Sequence, residues 1–248
     1  MIPADALTRL KSARSIAVLT GAGVSAESGV ATFRDPDGIW ARFSPTELAS
    51  MDGFMANPQR VLDWYAHRRA VVDAVEPNAG HTALVALERW ITQRDGTFTL
   101  ITQNVDRLHQ RAGSRNVLEV HGNLVEDRCS VCEEIHKGEQ QLDAAGLPVC
   151  TTCGGRLRPN VVWFGEDLPR DVWDASERAA RDADVFMSIG TSSVVWPAAG
   201  LAHTARSRGA AIIEVNPTST DLTPDVTWHI AAPSGTALPL IVAALEAA

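Results

Sequence analysis

Residues 20–34, TGAGVSAESGVATFR, restrict the possible folds of this chain more than any other stretch. They follow the apolar run 15–19, which predicts a buried strand, and they lead into a predicted helix. Gly21-Ala22-Gly23 lies between the two, and its small side chains let backbone N–H groups approach a phosphate closely. Strand, glycine turn and helix N-terminus together predict a pyrophosphate-binding corner. The segment departs from G-x-G-x-x-G, so it does not indicate ordinary dehydrogenase chemistry, and a turn without a ligand is the alternative.

Strand-like and helix-like stretches alternate along most of the chain. Apolar runs that predict strands lie at 15–19, 97–101, 117–120, 185–189, 211–215 and about 226–230. Stretches that predict helices lie at 80–91, 106–112, 171–182, 197–207 and 235–247. This alternation is typical of an α/β protein with a doubly wound parallel sheet. Two stretches interrupt it and are interpreted as insertions: 35–79, with predicted helices at about 45–54 and 57–75, and 124–159.

All four cysteines lie in the second insertion, as two CxxC pairs separated by 17 residues. Each pair can form a thiolate knuckle, and the spacing suits one tetrahedral Zn²⁺. Four thiolates fill the coordination shell, so the predicted zinc is structural rather than catalytic. A redox CxxC and unpaired thiols are the alternatives, whereas the clustering is unlike the spread of disulfides in a secreted protein. The predicted zinc ligands are Cys129, Cys132, Cys150 and Cys153.

The composition argues against several classes of protein. Of the 248 residues, 45% are hydrophobic and 21% are charged, as in globular proteins with a sizeable core. The net charge of −8 argues against nucleic acid as a main partner, because phosphate binding needs a basic face. No run approaches the roughly 18 apolar residues of a membrane span, and the N-terminus lacks the apolar core of a signal peptide. We expect a cytoplasmic protein, monomeric and without membrane or nucleic-acid partners.

Five motifs together resemble the sirtuins, which are NAD-dependent protein lysine deacylases. The pattern GAG-x-S-x-x-SG-x-x-TFR lies in the opening segment, and four more follow in the family's order: TQNVDRLH at 102–109, VHGN at 120–123, GTSS at 190–193 and EVNP at 214–217. The resemblance covers nearly the whole chain. It implies a Rossmann-like NAD-binding domain made of 1–34, 80–123 and 160–248. The two insertions, 35–79 and 124–159, would form a small helical and zinc-binding domain.

The resemblance also implies a reaction and the residues that carry it. NAD would be consumed, nicotinamide and O-acyl-ADP-ribose released, and the lysine freed. His121 would be the general base toward a ribose hydroxyl, since imidazole accepts a proton near neutral pH. Asn104 would share the catalytic work and, with Gln103, position ribose and water, while Asp106 would hold the nicotinamide carboxamide. The implied NAD contacts are Gly21, Ala22, Gly23, Ser25, Phe33, Arg34, Gln103, Asn104, Asp106, Gly190, Thr191, Ser192 and Asn216.

For two residues near these motifs, the sequence also allows a purely structural role. From the residues alone, His121 fits a buried structural histidine as well as a base. Glu214, at the end of a predicted strand, fits a ribose ligand and a plain strand end equally.

The segment 159–169, PNVVWFGEDLP, predicts a strand that binds substrate. It resembles the sirtuin segment that pairs with the peptide backbone by β-augmentation, which implies acylated-lysine proteins or peptides as partners. Plain core packing is the alternative for its two aromatic residues. The predicted substrate contacts in this segment are Val162, Trp163, Phe164, Gly165 and Glu166.

Tyr65 and Arg68 lie three residues apart in a predicted helix and therefore share a face. A phenol and a guanidinium on one face suit a carboxylate at the end of an acyl chain. Spacing alone favours an amphipathic helix with Tyr65 partly buried and Arg68 solvated. However, Tyr-x-x-Arg with Ala49 sixteen positions upstream resembles the class III sirtuins, which remove succinyl, malonyl and glutaryl groups. We therefore predict a deacylase for both succinyl/malonyl and acetyl groups.

Three other functions remain as alternatives: a plain deacetylase, a mono-ADP-ribosyl transferase, and an NAD-binding module without turnover. The first applies if Tyr65 and Arg68 do not reach the acyl pocket. The second leaves His121 without an obvious task, and the third leaves the set Asn104, Asp106 and His121 unexplained.

Overall fold

The computed structural model describes residues 2–32, 39 and 43–247. The predicted cofactor contacts Phe33 and Arg34 lie outside this part of the chain. The strands are β1 (Ser15–Thr20), β2 (Thr97–Thr102), β3 (Val117–Glu119), β4 (Gly122–Cys129), β5 (Ile135–His136), β6 (Gln141–Leu142), β7 (Pro148–Val149), β8 (Leu157–Val161), β9 (Val185–Ile189), β10 (Ala211–Val215) and β11 (Trp228–Ile230). The helices are α1 (Ala4–Ser12), α2 (Ala22–Ala26), α3 (Pro45–Leu48), α4 (Met51–Ala56), α5 (Pro58–Asp73), α6 (Ala79–Thr92), α7 (Leu108–Ala112), α8 (Arg170–Arg181), α9 (Gly200–Ser207) and α10 (Ser234–Glu246).

Six strands form one parallel sheet in the order β11-β10-β9-β1-β2-β3. From β1 the chain moves outward through β2 and β3, then returns to the other side of β1 and moves outward through β9, β10 and β11. The sheet is therefore doubly wound, as predicted from the alternation of strands and helices. Its topological switch point lies between β1 and β9, where ligands of such sheets bind.

Helices cover both faces of this sheet, which explains why its strands read as continuous apolar runs. On one face, α1, α6 and α10 pack through Leu10, Leu84 and Leu238 against buried strand residues such as Met187. On the other face, α8 and α9 contribute Ala180, Leu201 and Ala205, which pack against Phe186. All five residues of β9 are buried, because it lies in the middle of the sheet.

The two insertions form a second group of elements beside the sheet. A three-stranded antiparallel sheet has the order β5-β4-β8, and β6 pairs with β7. Helices α3 to α5 pack on it through an apolar cluster that includes Leu48, Phe54, Val61, Tyr65 and Trp163. The predicted helix 45–54 is two short helices, because Ala49 leaves the helical conformation and the Ser50 hydroxyl accepts the Gly53 N–H to begin α4.

The predicted substrate strand 159–169 is wrong over most of its length. Strand β8 begins earlier, at Leu157, and ends at Val161. Beyond it, the Glu166 N–H donates to the Trp163 carbonyl (3.1 Å), and Gly165 has a φ of +87°. A turn at 163–166 therefore replaces the extended conformation.

Among the helices that the structure describes, none is both long enough and apolar enough to cross a membrane.

Candidate active site

A cleft of about 800 Å³ lies between the carboxyl ends of the parallel strands and the inserted elements. Its size is within the usual range for pockets that bind small molecules and cofactors. The cleft brings together most residues that the sequence singled out, although they come from widely separated parts of the chain. Its lining includes Gly21, Ala22, Gly23, Ala49, Tyr65, Arg68, Gln103, Asn104, His121, Val162, Trp163, Phe164, Gly165, Glu166, Gly190, Thr191, Ser192 and Asn216.

The glycines after β1 bring the two strand ends at the switch point close together. The Gly21 N–H donates to the Ile189 carbonyl (3.1 Å), and the Gly23 N–H donates to the Gly190 carbonyl (2.8 Å). A Cβ on Gly21 would lie 2.8 Å from the Gly190 oxygen, so a larger residue would push the loops apart. The expectation that these glycine N–H groups face a phosphate is therefore wrong for Gly21 and Gly23, because both are used within the protein.

His121 follows β3 and lines the cleft with one ring nitrogen fixed by the backbone. Its Nδ1 lies 3.2 Å from the Gln103 carbonyl oxygen. A carbonyl only accepts, so Nδ1 carries the proton and Nε2 is left as the acceptor. Burial lowers the pKa of His121, although the hydrogen bond to Gln103 opposes this in part. The imidazole is therefore neutral near pH 7 and able to take a proton.

Asn104, also in the cleft wall, is oriented by two hydrogen bonds. Its Nδ2 donates to the Gly21 carbonyl (3.0 Å) and to the Ser25 hydroxyl oxygen (3.1 Å). The Ser25 hydroxyl in turn donates to the Asp106 carboxylate (2.7 Å). This chain leaves Asn104 Oδ1 as the atom that can accept a hydrogen bond from a bound group. Ser25 and Asp106 lie behind Asn104 and are not among the residues lining the cleft.

Asp106 is held mainly by the protein itself. Besides the Ser25 hydroxyl, its carboxylate accepts the Leu108 N–H (2.9 Å). Burial raises the pKa of Asp106, while these two hydrogen bonds and the charge of Arg68 lower it. Asp106 is not among the residues that line the cleft, and its expected contact with a carboxamide stays a prediction.

Two buried histidines, His81 and His109, support the residues behind Asn104. Neither is among the site residues predicted from the sequence. The Asn78 N–H donates to His81 Nδ1 (3.2 Å), so the proton is on Nε2, which faces the Ser25 hydroxyl at 3.5 Å. His109 Nε2 lies 2.9 Å from the Thr20 hydroxyl, and the two imidazole rings are 4.8 Å apart. Burial lowers the pKa of His81 to about 4 and that of His109 to about 3. Both therefore stay neutral behind the cleft.

Tyr65 and Arg68 lie on the opposite wall of the cleft, near Ala49. Their exposed fractions are 3% and 9%, so the alternative with a solvated Arg68 is wrong. The Tyr65 oxygen accepts the Trp163 indole N–H (2.8 Å), which leaves its own O–H to donate. Burial raises the pKa of Tyr65 to about 12, so the phenol stays protonated. Burial lowers the pKa of the Arg68 guanidinium, while Tyr65 and Asp106 oppose this shift.

The loop after β8 forms the wall that continues from Trp163 to Glu166. Trp163 is 2% exposed, so it belongs to the core as well as to the cleft lining, whereas Phe164 is 49% exposed. The Phe164 N–H donates to the Ala49 carbonyl (3.0 Å), which ties the loop to the first insertion. The Glu166 carboxylate accepts the Trp163 N–H (2.9 Å) and pairs with Arg158 and Arg128. Glu166 therefore holds the loop, and its carboxylate already has three partners in the protein.

At the other end of the cleft, Thr191 and Asn216 are joined by hydrogen bonds. Asn216 Nδ2 donates to the Thr191 carbonyl (3.1 Å), and Gln103 Nε2 donates to the Thr191 hydroxyl oxygen (3.1 Å). Glu214, 1% exposed, accepts hydrogen bonds from the hydroxyls of Thr220 and Thr223. It thus anchors the loop after β10 from inside, which favours a structural role over that of a ribose ligand.

The four cysteines meet at one point beside β4. Their Sγ atoms all lie within 4.8 Å of one another, and those of Cys132 and Cys150 are 3.7 Å apart. A tetrahedron with Zn–S bonds of about 2.3 Å has sulfur–sulfur edges of about 3.8 Å, so the cluster fits zinc. Burial raises the pKa of Cys129, but N–H groups of Cys132 and Val131 outweigh it and bring this pKa to about 7. The pKa values of Cys132 and Cys153 are instead raised by side-chain hydrogen bonds with the other thiols, so it is the convergence of four sulfurs that fits a tetrahedral zinc site.

The family model described as the Sir2 family matches residues 21–197. The chain belongs to the Sir2 family. A relative called NAD-dependent protein deacylase, from Mycolicibacterium paratuberculosis, is 50% identical over 238 residues, which are 94% of this chain and 98% of the relative. A Sir2 homologue solved as an NAD complex is 43% identical, with a TM-score of 0.91 over 100% of this chain and 95% of that one. A Sir2 structure with a p53 peptide and NAD⁺ is 29% identical, with a TM-score of 0.85 and full coverage of both chains.

Some residues of this Sir2 cleft carried no signal in the sequence. Glu27 lines it while its carboxylate accepts the Ser234 hydroxyl (3.0 Å) and the Gly235 N–H (2.8 Å) at the start of α10. His81 lies behind the cleft in the first turn of α6, three residues after the N-cap residue Asn78, and that spacing is a capping signal. Trp196 lines the cleft too, but only the path of its loop brings it there.

Proposed function

We propose that this Sir2 protein is an NAD-dependent protein lysine deacylase. The observation that carries the proposal is the neutral, cleft-lining His121, whose Nδ1–H is tied to the Gln103 carbonyl (3.2 Å) beside the oriented Asn104. A histidine held in this tautomer has Nε2 available as a general base. The relatives named NAD-dependent protein deacylase support the same reaction.

NAD would occupy the part of the cleft at the switch point between β1 and β9. When bound, it supplies an activated ribose carbon and nicotinamide as the leaving group. Gln103 and Asn104 would orient the ribose and a water molecule, and Gly190, Thr191, Ser192 and Asn216 would hold the phosphates and adenosine. His121 Nε2 would then take the proton from a ribose hydroxyl. Gly21, Ala22 and Gly23 form the adjoining corner, with Ser25 and Asp106 acting through Asn104, and Phe33 and Arg34 remain predicted contacts.

Zinc would be held by the four cysteine thiolates as a structural ion. Its chemistry there is to cross-link β4 to the loop at 150–155 and so to hold the inserted elements in place. Gly155 is required at this turn, because a Cβ would lie 2.9 Å from the Cys129 sulfur.

We propose further that the acyl pocket accepts succinyl and malonyl groups as well as acetyl. Arg68 places a buried cation in the cleft lining, and the Tyr65 hydroxyl beside it can donate a hydrogen bond. An acid-terminated acyl chain would meet both, and Ala49 leaves room for it. A charge-assisted contact of this kind is worth about 2–3 kcal/mol when it is shielded from water.

Acylated-lysine proteins or peptides would bind across the cleft along residues 162–166. The exposed Phe164 and Gly165 suit contacts with an extended peptide, whereas the Val162 N–H is already donated to the His121 carbonyl (2.9 Å). The solved Sir2 structures with a p53 peptide support a peptide substrate. A monomeric, cytoplasmic enzyme with no role for nucleic acid remains part of the proposal, in line with the net charge of −8.

Mass spectrometry of one peptide carrying succinyl-lysine, malonyl-lysine or acetyl-lysine, incubated with and without NAD, tests this function. We expect NAD-dependent loss of all three groups, with the matching O-acyl-ADP-ribose formed. Loss of acetyl alone would reject the acyl pocket and keep the deacylase. Nicotinamide release without deacylation would favour ADP-ribosyl transfer, and no turnover with NAD bound would favour a binding module.

A further inference from the structure

A second cavity, of about 420 Å³, lies next to the cleft between α8 and α9. We call it the outer groove. Trp196 and Pro197, in the loop that follows β9, line both the outer groove and the active-site cleft. The two cavities therefore share one wall, and a chain lying in the cleft can reach the groove at Trp196. The other main residues of the outer groove are Trp173, Glu177, His203 and Thr204.

Trp196 is an exposed indole with a fixed position. It is 66% exposed, and its ring lies parallel to that of His203, at an angle of 2° and a centroid distance of 6.0 Å. A Cβ at Gly200 would lie 2.8 Å from the indole, so the glycine lets the ring rest against α9. The ring is therefore held at the boundary between the outer groove and the cleft, with much of its surface exposed.

The outer groove combines this aromatic surface with a negative charge. Glu177 on α8 contributes a carboxylate, which pairs with Arg181 one turn later at 3.0 Å, both side chains being partly exposed. Such surface pairs are worth only a few tenths of a kcal/mol, so the carboxylate can share a second cation. Aromatic faces also attract guanidinium and ammonium groups.

We propose that the outer groove binds a cationic side chain, from arginine or lysine, in the substrate segment that flanks the acylated lysine. The inference deepens the proposed deacylase function and rests on it. The chain's net charge of −8 favours approach of a basic segment. An extended peptide advances about 3.3 Å per residue, so the groove reads a position within a few residues of the modified lysine.

Steady-state kinetics on matched acyl-lysine peptides tests the groove. A scan places arginine or its neutral isostere citrulline at each of three positions on either side of the acyl-lysine. At one position we expect arginine to raise kcat/KM about two- to fivefold over citrulline, as for an exposed cation–π contact. Glu177→Gln and Trp196→Leu should each lower that ratio toward one. Arg181→Gln should raise it, because it frees Glu177.

Asp174→Asn is the matched control, since Asp174 lies on α8 outside the groove and the change removes the same charge. If Asp174→Asn lowers the ratio as much as Glu177→Gln does, the preference is a general charge effect and the groove is rejected. A wild-type ratio of one at every position also rejects it.

Equilibrium binding of the same fluorescently labelled peptides separates this inference from the function. If no peptide is deacylated but arginine still strengthens binding in a Glu177-dependent way, the groove stands and the deacylase proposal fails. If peptides are deacylated with equal efficiency whatever flanks the lysine, the function stands and the groove fails.

Discussion

The cleft has two walls, one built on the parallel sheet and one built by the two insertions. Different interactions dominate in each. On the sheet side, a chain of hydrogen bonds orients the groups: Asn104 donates to the Ser25 hydroxyl, and Ser25 donates to the Asp106 carboxylate. The nearby His81 and His109 are uncharged. On the inserted side, charged groups dominate: Arg68 is a buried cation in the lining, and Arg158, packed 4.1 Å from the Trp163 ring centroid, is paired with Glu166.

This contrast fits a division of tasks within the proposed function. A hydrogen-bond network whose carboxylate, Asp106, does not line the cleft fixes geometry without presenting that charge to the substrate, which suits a step common to every acyl group. A buried cation favours one charge strongly, because low dielectric magnifies it. We therefore expect changes in the first wall to affect all substrates equally and changes in the second to affect them selectively.

The largest effect is expected from His121→Ala. General-base catalysis is typically worth about 10²- to 10⁴-fold, so kcat should fall by that factor for acetyl and succinyl peptides alike. The measurement is initial rates on both peptides. His67→Ala, an exposed histidine on α5, is the matched control. A loss confined to one acyl group would contradict the assignment of His121 to the common step.

The next largest effect is expected from loss of zinc, which should loosen the inserted elements and leave the parallel sheet folded. Cys153→Ala removes one thiolate, so zinc content should fall below one ion per chain and the inserted elements should become sensitive to protease. The parallel sheet has its own core and should keep its far-UV circular dichroism. Thr152→Ala, between Cys150 and Cys153 in the same knuckle, is the control and should retain zinc. Full zinc-free activity of the cysteine variant would show that the ion does not organise this wall.

Arg68→Met should lower activity on succinyl peptides much more than activity on acetyl peptides. Removing the buried cation should cost about 2–3 kcal/mol with a succinyl group, or roughly a hundredfold in kcat/KM, and far less with acetyl. Tyr65→Phe should act in the same direction with a smaller loss. Arg60→Met, an exposed arginine on the same helix, should change neither rate. Equal losses on both substrates would contradict the proposed difference between the two walls of the cleft.

The last expected effect is a dependence of the free energy of unfolding on pH, which arises on the sheet-side wall. The pKa values of His81 and His109, about 4 and about 3, lie below the 6.5 of an unfolded histidine. The unfolded chain therefore binds more protons as the pH falls, so this stability is complete above about pH 6.5 and decreases toward pH 4 and 3. Urea unfolding between pH 4 and 7 measures it.

A variant at His109 gives this last prediction its comparison. His109→Gln keeps a donor toward the Thr20 hydroxyl but cannot titrate, so the free energy of unfolding should depend less steeply on pH than in the wild type. His67→Gln should keep the wild-type slope. The same slope in all three proteins would mean that His109 is not buried in its neutral form.

The sequence predicted the sheet and the zinc cluster well because both depend on local patterns. A buried parallel strand needs a continuous apolar run, as at 185–189, and a CxxC pair places two thiolates near one point by itself. The segment after β8 shows the limit of such patterns. Its apolar alternation predicted a strand, but Glu166 accepts the Trp163 N–H and turns the chain there.

By itself, then, the sequence determined the doubly wound architecture, the cysteine cluster and the motifs of the Sir2 family. Tertiary structure alone decided what each polar side chain faces. Gly21 and Gly23 use their N–H groups on the neighbouring loop, Asp106 turns toward Ser25, and Arg68 is buried rather than solvated. The spacing of apolar residues in the sequence indicates which side of a helix or strand is apolar. A polar atom's partner, by contrast, comes from a distant part of the chain, and only packing brings the two within hydrogen-bond distance.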